Sequence, residues 1–380
     1  MSSENEAAAA GTEQPEVVVV DSGVDTESGG TIVVGGYTAS MDGIAVGLMS
    51  YRWNASDAEA VDLVANEPLP LASPSWVEVH PSQPRVHAVS EEGGSHLAAV
   101  AVALETGELT LINAVETGGR GGCHLAYSPD GRFIVVAHYG DGSIASFAVA
   151  DDGSVSGPLD SKTFNQVGAD ILRQDMSHAH QVVWDGDGFW VVNLGGDTVH
   201  FLQLDDEGHF VSTVAPIELP AGCGPRHLVR VGDHLVVACE LTAQVWVGRR
   251  TGDGWHQVAL VDSTTRERNM TDNRVYPSGI AAYGTEVLVA NRGCDTIAVF
   301  DLDAEADTLT YVTEFECGEW PRDLKVFGDR MWVACQVDNV VTTFVRDTDP
   351  AVRWQRDFEF ATASPACVAM VAATASEGAR

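Results

Sequence analysis

Three histidines, three arginines and a glutamate carry the chemistry this sequence offers, because they stand at matching places in a recurring phrase. His124, His180 and His227 open apolar stretches, in Cys123-His124-Leu125, Ala179-His180-Gln181 and Arg226-His227-Leu228. Arg226 and Arg322 sit at the same kind of opening, after Gly224-Pro225 and Trp320-Pro321. Tyr139, Glu240, Arg292 and Gln336 close the stretch that follows, in Val136-Ala137-His138-Tyr139, Val237-Ala238-Cys239-Glu240, Val289-Ala290-Asn291-Arg292 and Val333-Ala334-Cys335-Gln336. Imidazoles exchange protons near neutral pH, and guanidinium forks hold carboxylates and phosphates. A set of imidazoles, arginines and one or two carboxylates suits a small anionic substrate and a proton transfer.

The elements that must position these groups are strands. Each phrase is a polar start, an apolar strand, a turn, a second apolar strand and a polar end, followed by a third strand such as Asp295-Thr296-Ile297-Ala298-Val299-Phe300. Repeats of this length built only from strands predict a propeller. Anchoring each repeat just before its first strand gives Pro74, Gly122, His178, Pro225, Pro277, Pro321 and Pro365, spaced by 48, 56, 47, 52, 44 and 44 residues. The last anchor has no room for a full blade behind it. Strands expected at 31–37 and 43–51 supply the missing part, so the expected fold is an all-β, seven-bladed propeller closed by pairing of N- and C-terminal strands. The propeller is assigned to residues 31–372.

In such a blade the first strand is innermost and the second returns antiparallel to it. The start of strand one and the end of strand two therefore open on one face, the mouth of the central channel. This register puts His124, His180 and His227 in one column, with Arg226, Arg292 and Arg322 on the same rim. The strand-two ends add Tyr37, Glu92, Tyr139, Glu240 and Gln336. His138, one residue before that column, is expected to turn into its blade.

Composition narrows the function. The net charge is −34, which argues against nucleic acid and anionic membranes as partners. Only two lysines occur, Lys162 and Lys325, against nineteen arginines. No apolar run approaches the length of a membrane span. Residues 1–30 hold seven acids and no lysine or arginine, and lack the basic and apolar regions of a signal peptide, so they read as a disordered acidic tail. Seven cysteines lack Cys-x-x-Cys spacing and read as small core residues in a reducing cytoplasm. No nucleophile elbow, Walker loop, dinucleotide fingerprint or metalloprotease motif occurs, and no metal or cofactor is expected.

At these residues the chain resembles a known family, the seven-bladed propeller lactonases of the bacterial 6-phosphogluconolactonase type, which includes carboxy-cis,cis-muconate lactonizing enzymes. The resemblance rests on Arg173-Gln174 followed by His178-Ala179-His180, on Gly224-Pro225-Arg226-His227, on Ala238-Cys239-Glu240-Leu241, on Tyr276-Pro277 with Ala290-Asn291-Arg292-Gly293, and on Trp320-Pro321-Arg322 with Ala334-Cys335-Gln336. It spans roughly residues 31–370. It implies a cleft using a His, two Arg and a Glu, which map to His178 or His180, Arg226, Glu240 and Arg292. The sequence departs from the family at Ser177, where proline is usual, and at His138, where asparagine is usual.

The expected activity is hydrolysis of a sugar lactone, most directly 6-phosphogluconolactone in the pentose phosphate pathway. Catalysis is assigned to His180, Arg226, Glu240 and Arg292, with Glu240 or His180 as base. Substrate binding is assigned to His124, Tyr139, His178, His227, Arg322 and Gln336. The expected partner is a small anionic lactone, on a monomer or weak homodimer in the cytoplasm. The alternatives are a lactonizing or delactonizing isomerase of the muconate type and a non-catalytic binding propeller.

Overall fold

The structure, a computed structural model, describes residues 29–54, 62–212, 214–252, 254–266 and 274–372. The expected acidic tail lies outside the described residues up to position 28. Seven antiparallel sheets form seven blades. Blade one begins with the strands Pro74–Val79 and Arg85–Ser90, blade two with Gly122–Tyr127 and Phe133–His138, and blade three with Ala179–Asp185 and Gly188–Asn193. Blade four begins with Pro225–Val231 and His234–Cys239, blade five with Tyr276–Tyr283 and Glu286–Arg292, and blade six with Pro321–Phe327 and Arg330–Cys335. Two further strands complete each of these, and blade three carries an extra short strand, Ile217–Glu218.

Blade seven is assembled from both ends of the chain. Its inner strand is Pro365–Ala372, followed outward by Gly30–Gly36, Met49–Asn54 and Asp62–Ala65. Gly30 pairs with Ala372 and Gly35 with Cys367, so hydrogen bonds replace what would be two open edges. Gly35 is required there: a Cβ on it would stand 2.3 Å from the Pro74 carbonyl oxygen and 2.8 Å from Cys367 Sγ. The expected strand at 43–51 begins only at Met49. Residues before it form a loop, because Ala45 bonds back to the Tyr37 carbonyl and Leu48 exchanges backbone hydrogen bonds with Leu69.

The core lies between the blades, where apolar faces of adjacent sheets meet in separate clusters. Val135, Val191 and Phe189 fill the space between blades two and three, and Trp332, Ile32 and Met370 that between blades six and seven. First strands of successive blades touch one another around the ring, which leaves a narrow central channel. No helix among the described residues is long and apolar enough to cross a membrane. All seven cysteines are free and all but Cys294 are buried.

One local irregularity shapes the channel mouth. Pairing of the first two strands slips near its start in each of blades one to six, between Pro74/Trp76, Gly122/His124, Ala179/Gln181, Pro225/His227, Pro277/Ile280 and Pro321/Asp323. Such a bulge re-aims side chains and is common at rims beside functional sites. The bulged residues are Ser75, Cys123, His180, Arg226 and Arg322, with Ser278-Gly279 in blade five. Blade three is therefore offset by one from the sequence register. Ala179, not His178, is the equivalent of Pro225, so His180 shares the column of Arg226 and Gln181 that of His124 and His227. A similar slip affects blade one: Ser90 pairs with Pro74, which puts Glu91 rather than Glu92 at the mouth.

Candidate active site

The bulges and the strand-two ends converge on a cavity at the channel mouth. It is lined by Arg226, His227, His180 and Arg322 together with Tyr37, Ser75, Trp76, Glu91 and Cys123. Glu240 sits behind this lining, 3% exposed, and is gripped by three guanidiniums. Arg173 Nη2 donates to Oε1 at 2.6 Å, Arg292 Nη2 donates to Oε2 at 2.6 Å, and Arg226 Nε lies 3.2 Å from Oε2. Burial alone would raise the Glu240 pKa, but Arg292, Arg226 and Arg173 outweigh it and hold the carboxyl well below the usual range. Burial in turn pulls Arg292 down to about 10, against the opposing pull of Glu240. Arg292 also rests on aromatic faces, 5.7 Å from the Tyr276 centroid and 5.5 Å from that of Trp320.

Burial disfavours charge on the imidazoles of His124, His180 and His227. Burial pushes His180 well below its ordinary pKa, and Arg226 and Arg292 add to that against the opposing pull of Glu240. His180 Nδ1 is buried without a hydrogen-bond partner. Burial, Arg226 and the neighbouring histidines depress His227 likewise. Its ring nitrogens lie 3.4 and 3.5 Å from Arg226 Nη1, so the guanidinium lies against the ring. His124 stacks on Trp76 at 3.9 Å and meets His227 edge-on at 5.5 Å. Its Nδ1 faces the Val182 amide at 3.5 Å.

The remaining sequence-assigned residues divide. Arg322 reaches the cavity, its Nε donating to Gln336 Oε1 at 2.7 Å and its guanidinium 4.6 Å over the Tyr37 ring. Gln336 thus orients Arg322 from outside the cavity wall. Tyr139 and His178 also stand outside it: the two rings stack at 4.3 Å, and His178 Nδ1 donates to the Tyr139 carbonyl at 2.6 Å. Tyr139 Oη accepts from Arg173 at 3.3 Å. His178 therefore braces Tyr139 and does not reach the cavity, because the one-residue offset of blade three turns His180 inward instead. His138 is fully buried and bonds Ser143 Oγ at 3.0 Å, within its blade as expected.

Arg173 and Lys325 escaped the sequence register. Arg173 belongs to the long connection between blades two and three, where no periodicity marks a position, although it forms part of the quoted Arg173-Gln174 motif. That connection is pinned at its base by Gln174, whose Nε2 donates to Asp197 Oδ1 at 2.7 Å. Asp197 also accepts the amides of Gly222 and Gly224, just ahead of Arg226. Deeper in the channel, Asp323 carries a carboxyl raised to about 6 by burial, against the opposing pulls of Lys325 and Arg226. Lys325 Nζ stands 4.6 Å over the Trp76 ring. A neutral imidazole beside several preorganised guanidiniums can accept a proton while the arginines hold developing negative charge.

Comparison with known proteins bears on the family of the chain. Residues 31–370 match the family described as Lactonase, 7-bladed beta-propeller. The 6-phosphogluconolactonase of Bacillus subtilis is 28% identical over 265 residues, covering 67% of this chain and 74% of its own. The 6-phosphogluconolactonase of Formosa agariphila is 23% identical over 334 residues, covering 83% and 92%. A solved structure from Bacteroides fragilis, a candidate 6-phosphogluconolactonase, superposes with a TM-score of 0.81 at 26% identity, covering 91% of this chain and 99% of its own. The chain belongs to the seven-bladed β-propeller lactonase family and is a lactone-hydrolysing enzyme.

Proposed function

We propose that this site hydrolyses a phosphorylated sugar lactone, 6-phosphogluconolactone, to 6-phosphogluconate in the pentose phosphate pathway. The observation that carries the reading is the division of labour around Glu240. Its carboxylate oxygens are already engaged by Arg173, Arg226 and Arg292, which makes it a scaffold for those guanidiniums. His180, neutral and partnerless at Nδ1, is the group free to accept a proton.

In this reading a water attacks the lactone carbonyl and His180 takes its proton. Arg226 and Arg292 stabilise the oxyanion that forms on the carbonyl oxygen. The ring C–O bond then breaks, and the departing ring oxygen takes the proton back from His180 and leaves as a hydroxyl. Arg322, tied to Gln336 and to no carboxylate within ion-pair distance among the described residues, binds the phosphate. His124 and His227 pack the floor beneath. The names of the Bacillus subtilis and Formosa agariphila relatives support this substrate. The unpaired buried cysteines support a reducing, cytoplasmic setting.

The experiment is a comparison of 6-phosphogluconolactone with its unphosphorylated counterpart in wild type and Arg322→Met. Loss of the guanidinium should raise KM for the phosphorylated lactone by ~10-fold or more and leave the other nearly unchanged, as charge-assisted phosphate contacts are the stronger kind. Equal effects on both substrates would remove the phosphate from the proposal.

A further inference from the structure

The cavity lining mixes groups of opposite hydrogen-bonding character. Arg226 and Arg322 offer only donors. A second set, Tyr37, Glu91 and Ser75 from blades seven and one, offers acceptors. Tyr37 Oη donates to Glu91 Oε2 at 2.6 Å, which commits the phenol's single hydrogen and leaves its oxygen able only to accept. Among the described residues Glu91 has no other side-chain hydrogen bond and no cation within ion-pair distance, in contrast to Glu240 with three guanidiniums. Ser75, 4% exposed and lining the same cavity, has a hydroxyl with no hydrogen-bond partner. A buried hydroxyl left unpaired is costly, and beside a cavity it marks where a ligand group belongs.

We infer that Glu91, Tyr37 and Ser75 form a hydroxyl-recognition subsite that selects polyhydroxylated lactones over lactones of the same ring without hydroxyls. The inference rests on the lactone-hydrolase reading above and names the feature of the substrate that this second set reads. Ring hydroxyls are donors, and they satisfy the Glu91 carboxylate and the Tyr37 oxygen as the substrate displaces water. A bare ring leaves the Tyr37 oxygen and the remaining lone pairs of Glu91 desolvated and unmatched. Sites built to pair a substrate hydroxyl reject analogues lacking it far more strongly than apolar pockets reject a missing methylene. The same set disfavours lactones that carry carboxylates in place of hydroxyls, because Glu91 would repel them.

The test compares D-glucono-δ-lactone with δ-valerolactone, each rate being normalised to its uncatalysed hydrolysis. Both are neutral six-membered lactones, so a change at Glu91 alters the local field for both alike and only the hydroxyl contacts differ. Wild type should favour the hydroxylated lactone in kcat/KM by ~10²-fold or more. Glu91→Ala, Tyr37→Phe and Ser75→Ala should each narrow that ratio, the first two by ~10-fold or more. Tyr37→Phe keeps the ring beneath Arg322 and carries the test if Glu91→Ala fails to fold. A wild-type ratio near unity, or a ratio unchanged in the folded variants, overturns the subsite and leaves lactone hydrolysis standing. A wild type inactive on both lactones and on the phosphorylated one overturns the hydrolase reading and the subsite with it.

Discussion

Replacing Glu240 with Gln separates a scaffold from a base. The substitution keeps shape but removes the charge that Arg173, Arg226 and Arg292 share. Removing one partner of a buried ion pair costs about 3–5 kcal/mol, whereas an exposed pair is worth about 1 or less. Arg226 and Arg292 are nearly fully buried and Arg173 is a third exposed, so the buried figure applies. In a domain of this size that is a fall in Tm of about 4–7 °C by differential scanning calorimetry. A carboxyl held below its unfolded-state pKa stabilises above that value, and this contribution is lost as pH falls through the folded-state value. The gap between wild type and variant should therefore be flat from about pH 6 to 8 and shrink below about pH 4. In kinetics KM should rise together with a fall in kcat, because the arginines lose their anchor. Glu240 also raises the His180 pKa, so its removal should move the acid limb of the rate profile to lower pH. A variant with wild-type Tm and wild-type KM, reduced only in kcat, would refute the scaffold role and make Glu240 the base.

Three other outcomes follow from the same geometry. Arg292→Met should lower kcat on the lactone by ~10²-fold or more, as for loss of one preorganised oxyanion donor, which steady-state kinetics would register. Gly35→Val should prevent or severely weaken closure, because its Cβ would strike the Pro74 carbonyl and Cys367; urea titration should show a loss of several kcal/mol, as for other overpacked core sites, of order ~3. Arg173→Lys should raise KM in steady-state kinetics while leaving Tm nearly unchanged in calorimetry, since lysine keeps the charge but not the fork that holds Glu240.

The blades were legible because each must bury two strand faces against neighbours, and that demand repeats in the sequence as paired apolar runs between Pro or Gly anchors. Closure was legible because an orphan strand set at one end matched a missing set at the other. What stayed hidden arises from single-residue irregularities. The bulge at the start of each inner strand leaves no mark in apolar periodicity, yet it decides that His180 enters the cavity and His178 braces Tyr139. In blade one it decides for Glu91 over Glu92. Arg173 reaches Glu240 from a connection without periodic structure, so its family motif marked it while its contact with Glu240 did not show. Lys325 looked like an ordinary strand residue until the ring of first strands turned it into the channel.

The central claim is that a neutral His180 at the channel mouth takes the proton from the attacking water. Measuring kcat/KM for 6-phosphogluconolactone by phosphorus NMR, for wild type and for His180→Asn in the full chain, tests it most directly. The account predicts a fall of ~10²-fold or more with Tm nearly unchanged, the usual worth of a positioned general base. A folded His180→Asn variant within about twofold of wild type, where ~10²-fold is required, would contradict it.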